Sequence, residues 1–415
     1  MVKMPHWPVF VGSECTPGES LIRIKNILPL LGNPQNKLKN VIHITGTKGK
    51  GSTALFIAQI AKESGYNVNI YTSPHIYECN ERIKLNGKNI LDEYLQELIE
   101  KIRFVVERNN LPQPSLMETM TCCAMIAFSQ NNADVNVIEV GMGGLLDTTN
   151  VFQDNPPLCA VFTPIHLDHK LFLGDTIESI TFHKSFIAPI GTKNVVLSSQ
   201  SSVAKNELLT ILHSRKITNI LSYQDDYEVF ENEDNQDELI FSSQKLECEF
   251  TFSKPSMEGK HQYINASCAV ATILTCIDSF SNILQDSISK GVYNTHNLVR
   301  MEKVKCKKYQ QILPLGSVFY MDGAHNQLAA SMLFEFISSF TRKNIGFKVC
   351  LIVARSKNVD NKAFFVPFIK ENGKSSILDL VVCTRANLES IPEPPEKISQ
   401  ACEDLKIKNR IAYNI

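Results

Sequence analysis

The stretch VIHITGTKGKGST, residues 41–53, decides how the first part of the chain folds. Its apolar start predicts a buried β-strand, its three glycines predict a tight loop, and its last hydroxyl residues open an apolar-periodic helix. In such a unit, glycine lets backbone N–H groups close around an oxyanion, and the helix N-terminus adds partial positive charge. We therefore predict a phosphate-binding loop in which Lys50 reaches the outer phosphates of a nucleotide.

This loop departs from the strict P-loop pattern, in which G-x-x-x-x-G-K is followed directly by Ser or Thr. Gly51 separates Lys50 from Ser52, and no glycine stands five residues before Gly49. The alternative is a glycine-rich turn with an unrelated lysine. The strand and the helix on either side of the loop favour phosphate binding.

Length and composition limit the class of protein. With 415 residues the chain exceeds what one core usually supports, so we expect two domains. A net charge of −1 gives no electrostatic basis for binding nucleic acid or an anionic membrane. The 12 cysteines show neither paired metal spacing nor a disulfide framework, which is typical of a reducing compartment. Without a signal peptide or a run of 18 apolar residues, we expect a cytoplasmic protein.

Alternating strand and helix patterns predict a doubly wound, mostly parallel α/β sheet in the first part of the chain. A small β-hairpin region should follow, with strands at 227–230, 238–241 and 246–252, and then a helix at 265–280. A fresh α/β series begins after residue 297. The predicted domains are therefore 1–293, with the phosphate loop, and a smaller C-terminal α/β domain, 294–415. The other predicted strands are 41–44, 68–71, 135–140, 159–163, 318–321, 348–353 and 378–383, and the other helices are 52–64, 91–108, 118–130, 176–188 and 327–340.

Polar side chains follow several of these strands, at the sheet edge where ligands bind in such folds. Ser73 follows the second strand, although an ordinary turn explains that segment equally well. Glu139 ends an apolar strand, where a carboxylate is costly unless it is paired or bound to a metal. A strand-end Glu held by a helix N-terminus is the alternative. Asp168 and His169 follow the next strand, where His169 could be a base or a loop histidine.

Two further features stay open on the residues alone. Lys184 lies on the helix after His169, and a lone helical lysine is usually solvated. The cluster DGAHN at 322–326 is a site candidate just past a strand of the second domain. It could also be a turn in which Asn326 caps the helix that follows.

Taken together, these segments resemble the folylpolyglutamate synthase/dihydrofolate synthase family, relatives of the Mur ligases, from about residue 21 to at least 339. The similarity is strongest at 44–53, 71–87, 139–150, 167–184 and 322–326. The TSPH and NERIxxNG patterns within 71–87 separate this family from generic P-loop enzymes.

The resemblance implies ATP and Mg²⁺ as cofactors and assigns residues to them. It matches Thr47, Lys48, Gly49 and Lys50 to the ATP phosphate loop, and Asn265, Arg300 and Asp322 to nucleotide contacts around the domain interface. It matches Ser73, Glu139 and His169 to magnesium ligands, and it places His325 close to the phosphates. Lys184 matches a lysine that is carbamylated in this family and so becomes a carboxylate-like ligand near the metals. Lys50, Lys184 and His325 are the implied catalytic residues.

The same resemblance implies the substrates. The pterin-binding residues would be Ser115, Leu116, Met117, Glu118, Leu146, Asp147 and Thr148. The implied reaction joins L-glutamate to dihydropteroate, to a reduced folate, or to both. A carboxylate attacks the γ-phosphate of ATP, and the glutamate amine then attacks the resulting acyl phosphate. The family also implies a monomer that binds small molecules, with no nucleic-acid or membrane partner.

Three alternatives remain open. A decayed homologue that binds nucleotide or folate without turnover is motivated by Leu145 and Val299, which stand where the family usually has Arg and Gly. A Mur-type cell-wall ligase shares the loop, but such enzymes usually carry a substrate domain before it, and here 45 residues precede Gly46. A generic P-loop kinase would need neither the 322–326 cluster nor a second α/β domain.

Overall fold

The computed structural model describes residues 17–297, 299, 301–304, 311, 313–357, 359–369, 376–385 and 392–413. The chain forms two compact units that divide between Leu298 and Val299. The boundary predicted after residue 293 is slightly earlier and would cut helix Gln285–Asn294 before its last residue. Each unit is described separately below.

The described part of the first unit is built on an eight-stranded sheet of order β4-β3-β2-β5-β1-β6-β7-β8. The strands are β1 Val41–Thr45, β2 Val68–Tyr71, β3 Ile83–Leu85, β4 Lys88–Asn89, β5 Val135–Glu139, β6 Cys159–Phe162, β7 Asn194–Leu197 and β8 Ile220–Ser222. All neighbouring pairs are parallel except β2–β3 and β3–β4 at one edge. Ile44 of β1 lies opposite Glu139 of β5 and Val161 of β6, so the phosphate loop leaves the middle of the sheet.

Helices cover both faces of this sheet, which confirms the doubly wound α/β prediction. They are α1 Pro17–Leu30, α2 Lys50–Glu63, α3 Asp92–Arg108, α4 Leu116–Asn131, α5 Lys170–Leu173, α6 Ile177–Ser185, α7 Ser202–Ser214, α8 His261–Thr275 and α9 Gln285–Asn294. One apolar core contains residues of α2, α8 and α9, and a second contains residues of α1, α3 and α4. Every residue of β1 is buried, because a parallel strand in such a fold is covered on both faces.

The predicted hairpin region is present as the antiparallel strands β9 Glu228–Glu231, β10 Glu238–Ser243 and β11 Cys248–Ser253. The prediction of a helix at 265–280 was wrong at both ends, since α8 begins at His261 and ends at Thr275. A separate turn, Ile277–Ser279, follows it. Phe280 follows this turn and is buried in the core, where its ring centroid lies 5.5 Å from that of Tyr66.

The second unit has its own core. Strands β12 Glu302–Lys303 and β13 Tyr320–Met321 form a short antiparallel pair, and β14 Cys350–Val353, β15 Leu380–Thr384 and β16 Asn409–Ala412 form a parallel sheet. Its described helices are α10 Gln327–Lys343, α11 Asn361–Phe365 and α12 Pro395–Asp404. Phe364, Phe365, Phe368 and Val381 are among the residues that fill this core. The strand predicted at 318–321 is thus shorter than expected, since β13 spans Tyr320–Met321.

Among the helices that the structure describes, none has both the length and the apolar character of a membrane-spanning segment. The ten cysteines in the described part of the chain form no disulfide with one another.

A buried ion pair fixes α1 against α4. The Nε and Nη2 atoms of Arg23 donate to the two carboxylate oxygens of Glu118 at 2.8 and 2.9 Å, and the Glu118 side chain is fully buried. Ser115 caps α4, since its Oγ accepts from the Glu118 amide at 3.4 Å, while the Glu118 carboxylate accepts from the amide and hydroxyl of Ser115. Ser115 and Glu118 therefore have structural roles that the sequence analysis missed.

This arrangement predicts that Glu118→Gln weakens folding. The neutral amide would remove the negative charge that the Arg23 guanidinium contacts at 2.8 and 2.9 Å, and breaking a buried pair costs about 3–5 kcal/mol. Chemical denaturation should show a loss of that order, whereas removing the cap with Ser115→Ala should cost about 1 kcal/mol. An unchanged unfolding midpoint for Glu118→Gln, together with a raised KM for the pterin substrate, would contradict the structural role.

Candidate active site

The candidate site lies where four neighbouring parallel strands, β2, β5, β1 and β6, end at one edge of the sheet. Ser73 follows β2, Glu139 ends β5, the loop 46–49 follows β1, and Asp168 and His169 follow β6. Because carboxyl ends of parallel strands meet at the same edge, residues from distant parts of the chain are gathered here.

Glycine is required at two positions of the phosphate loop. A Cβ on Gly46 would lie 1.9 Å from Oγ1 of Thr163, and one on Gly49 would lie 2.4 Å from Oδ1 of Asn265. Gly49 also has a φ of 83° at the start of α2, a left-handed conformation that favours glycine. The loop therefore lies tightly between the segment after β6 and α8, with Asn265 beside Gly49.

Thr47 ties this loop to the segment after β6. Its amide donates to the Pro164 carbonyl at 2.8 Å, and its hydroxyl donates to the His166 carbonyl at 3.1 Å. The first helical hydrogen bond of α2 runs from the Thr53 amide to the Gly49 carbonyl at 2.8 Å. The amides before Thr53 have no acceptor within the helix, so this N-terminus can receive an anion.

Two lysines converge on one carbonyl oxygen of the loop. Lys50 Nζ donates to the Gly46 carbonyl at 3.2 Å, and Lys184 Nζ donates to the same oxygen at 2.8 Å. Lys184 is only 3% exposed. Burial, and then the charge of Lys50, lower the pKa of Lys184 to about 7, against the opposing influence of Asp168 and Asp147. The interpretation of Lys184 as a solvated surface lysine was wrong.

Glu139 and Ser73 are in direct contact. The Ser73 amide donates to Oε2 of Glu139 at 3.0 Å, and the Glu139 side chain is buried. A Cβ on Gly51 would lie 3.4 Å from the same Oε2, so the first turn of α2 runs close beside the carboxylate. His169 is exposed at the start of α5, and its amide donates to Oδ1 of Asp168 at 2.9 Å.

The donors at this edge suit Mg²⁺. Among the described residues, no three or more His, Cys, Asp or Glu side chains are arranged to hold a metal ion. Magnesium that accompanies ATP is usually held by one or two carboxylates together with phosphate oxygens and water, so it does not need such a cluster. Glu139, buried beside the phosphate loop with the Ser73 hydroxyl on the neighbouring strand end, provides oxygen donors of the required kind.

Asp147 organises the segment after β5. Its Oδ2 accepts from the Met142 amide at 2.9 Å, and its Oδ1 accepts from the amide and hydroxyl of Thr149 at 2.9 and 2.6 Å. Burial raises the pKa of Asp147, while these hydrogen bonds and the charge of Lys50 oppose the shift. Gly144 packs against α6. A Cβ on Gly144 would be 2.7 Å from the His183 carbonyl, so the segment contacts the helix that carries Lys184.

The two predicted pterin segments meet. Oγ1 of Thr148 is 2.9 Å from Oγ1 of Thr121 on α4, and the Met117 methyl lies 3.2 Å from the position of a Cβ on Gly141. Leu116 is buried, and Leu146 is half-buried. The structure thus brings residues 115–118 and 146–148 close together beside the strand ends.

The predicted residues of the second unit form a separate group. Oδ2 of Asp322 accepts from the Met301 amide at 2.9 Å, and its Oδ1 accepts from the Ala324 amide at 2.8 Å. His325 is exposed, with Nδ1 3.1 Å from the Gly323 carbonyl. Asn326 caps α10 by accepting from the Ala329 amide, as predicted. Arg300 lies outside the described residues.

Sequence reasoning missed Arg82, which is buried close to Met117. The signal was available, because Arg82 belongs to the NERI stretch that carries part of the family resemblance. A charged side chain in a loop gives no sign of burial, however, and burial is what makes Arg82 notable.

Comparison with known proteins identifies the family of this chain. The model of the Mur ligase middle domain matches residues 44–273. The dihydrofolate synthase/folylpolyglutamate synthase of Bacillus subtilis is 30% identical over 409 residues, covering 94% of this chain and 90% of the relative. The structure of a folylpolyglutamate synthase from Thermotoga maritima is similar with a TM-score of 0.77 and 25% identity, covering 95% of this chain and 86% of that one. A folylpolyglutamate synthase solved as a complex with AMPPCP has a TM-score of 0.73 and 25% identity, covering 95% and 93%. The chain therefore belongs to the folylpolyglutamate synthase/dihydrofolate synthase family of the Mur ligases.

Proposed function

We propose that this chain is an ATP-dependent, ADP-forming ligase that joins L-glutamate to dihydropteroate, to a reduced folate, or to both. The observation that carries the proposal is the convergence of Lys50 and Lys184 on the Gly46 carbonyl. An amine at a helix N-terminus suits a highly charged anion such as the triphosphate of ATP, and Lys50 would supply it. Membership of the family supports the glutamate and pterin substrates.

The nucleotide would lie along the loop. The glycines at 46 and 49 leave room for close approach, and the amides at the start of α2 face the phosphates. Asn265, which touches Gly49, would contact the nucleotide. The relative solved with AMPPCP supports an ATP-binding role for this region.

The chemistry follows from these placements. The acceptor carboxylate attacks the γ-phosphorus of ATP, giving an acyl phosphate and ADP. The glutamate amine then attacks the acyl carbon, loses a proton and expels phosphate, which leaves an amide. Lys50 offsets the charge that develops on the transferring phosphoryl group. Mg²⁺, held by Ser73, Glu139 and His169, would neutralise phosphate charge when bound.

Lys184 would act as a carbamate. With a pKa of about 7, roughly half of its amines are neutral at pH 7, whereas an ordinary lysine with a pKa of about 10.4 is almost fully protonated. A neutral amine attacks CO₂ and releases a proton, which converts a cation into a carboxylate-like group. That charge reversal would relieve the repulsion between Lys184 and Lys50.

The remaining assignments are proposals of the same kind. Asp322, His325 and Arg300 of the second unit would serve the nucleotide and its phosphates. The absence of a disulfide among the described cysteines is compatible with a cytoplasmic enzyme. The family supports a monomer.

Phosphate release tests the proposed reaction. Purified protein with MgATP and L-glutamate should release phosphate only when dihydropteroate or tetrahydrofolate is added. Lys50→Ala should lower kcat about 10²–10³-fold, the usual loss on removing one transition-state donor. Lys62→Ala, which removes an exposed lysine of the same helix, should leave the rate unchanged. ATP binding without pterin-dependent turnover would instead support the decayed homologue.

Carbamylation has its own readout. Protein equilibrated with ¹³C-bicarbonate near pH 8 should give one carbamate carbon signal by NMR, and Lys184→Ala should abolish it. The signal should fade as the pH falls below about 7, because the amine is then protonated. A signal that persists in Lys184→Ala, or one that never forms in the wild type, would contradict the assignment.

A further inference from the structure

We propose that Arg82 binds a carboxylate of the amino-acid substrate, L-glutamate. This inference rests on the proposed ligase function. It adds a contact between Arg82, near the carboxyl end of β5, and the glutamate substrate.

Arg82 is a buried cation with neutral acceptors. Its side chain is 6% exposed. Its Nε donates to Nδ1 of His75 at 2.8 Å, and its Nη1 donates to the sulfur of Met117 at 2.9 Å. Among the residues that the structure describes, no carboxylate lies within ion-pair distance of Arg82.

Such an arrangement is costly without a further partner. Buried charges in proteins are normally paired, because removing a charge from water carries a large penalty. The same chain shows the usual solution in Arg23, whose guanidinium forms a two-pronged bond with Glu118. Arg82 has a comparable burial but lacks the carboxylate.

The nearest acidic side chain in sequence is already used. The carboxylate of Glu81 accepts from three backbone amides, those of Ile76, Tyr77 and Glu78, at 2.7, 2.9 and 2.9 Å. Glu81 thereby holds the loop that surrounds Arg82 in shape. Glu81 is therefore committed to shaping this loop, and we look outside the loop for the partner of the guanidinium.

The guanidinium lies beside the reaction edge. Met117, which accepts from Nη1, has its methyl group 3.2 Å from the position of a Cβ on Gly141, just after β5. His75, which accepts from Nε, is two residues from Ser73, whose amide contacts Glu139. Arg82 thus bridges two segments that flank the carboxyl end of β5.

The chemistry favours glutamate over the pterin acceptor. Dihydropteroate has only its reacting carboxylate, which loses its charge when the acyl phosphate forms, whereas glutamate keeps both carboxylates throughout. A fixed guanidinium suits the group whose charge does not change. A thioether is a weak acceptor, so a carboxylate that displaces Met117 would gain a charge-assisted, two-pronged hydrogen bond.

The experiment compares Arg82→Gln and Arg82→Lys with Arg103→Gln, which alters an exposed arginine paired with Glu107 on α3. We expect Arg82→Gln to raise the KM for L-glutamate about 10- to 100-fold, as expected for loss of a charged hydrogen bond. The KM values for ATP and the pterin acceptor should change little. Arg82→Lys, which keeps the charge without the fork, should give an intermediate KM, and Arg103→Gln should match the wild type.

Substrate analogues separate recognition from a structural role. L-Glutamine and γ-aminobutyrate each lack one carboxylate of glutamate. The wild type should discriminate strongly against the analogue without the bound carboxylate, and Arg82→Gln should lose that discrimination. A uniform loss with all three amino acids, or a rise confined to the KM of the pterin acceptor, would overturn the assignment.

The failure of this inference can be told apart from failure of the proposed function. If the wild type shows no pterin-dependent turnover, the ligase proposal fails, and calorimetric titration with L-glutamate decides the role of Arg82 directly. Binding that Arg82→Gln and Arg82→Lys weaken and Arg103→Gln preserves would support the contact. Equal binding to all four proteins, or none to the wild type, would overturn it.

Discussion

The Gly46 carbonyl oxygen is the point on which the site depends. It receives Lys50 from α2 and Lys184 from α6, so one backbone atom holds two amines a short distance apart. The contact exists only because residue 46 has no side chain, since a Cβ there would collide with Thr163. Burial of Lys184 and repulsion between the two lysines make a pair of cations unfavourable here. Carbamylation of Lys184 would relieve that repulsion and leave Lys50 as the cation that faces phosphate.

The parallel topology explains how such a site is assembled from distant segments. Strands β2, β5, β1 and β6 are neighbours, so their carboxyl ends deliver Ser73, Glu139, the phosphate loop and His169 to one edge. Gly144 then holds the segment after β5 against α6, close to Lys184. The fold thereby couples the segment after β5 to the helix that carries Lys184 through backbone contacts, which are less adjustable than contacts between long side chains.

Sequence reasoning predicted the central strands well, because buried parallel strands form short, mostly apolar runs such as 41–44 and 68–71, although each of these contains one polar residue. It failed at the end of α8, where Phe280 fits an apolar pattern but lies on a separate turn. Strand-end residues could be placed from topology alone. Lys184, Glu118 and Arg82 could not, since a charged residue reveals its burial only through tertiary contacts, and the resemblance had to supply the role of Lys184.

The central claim is that the acceptor carboxylate is activated by phosphorylation, and the most direct measurement follows its oxygen atoms. An acceptor with ¹⁸O in the reacting carboxylate would be turned over with MgATP and L-glutamate, and the released phosphate examined by mass spectrometry. Our account predicts one ¹⁸O atom in each phosphate, because the acyl oxygen leaves with the phosphoryl group. Phosphate that contains no ¹⁸O would contradict an acyl phosphate and with it the proposed mechanism.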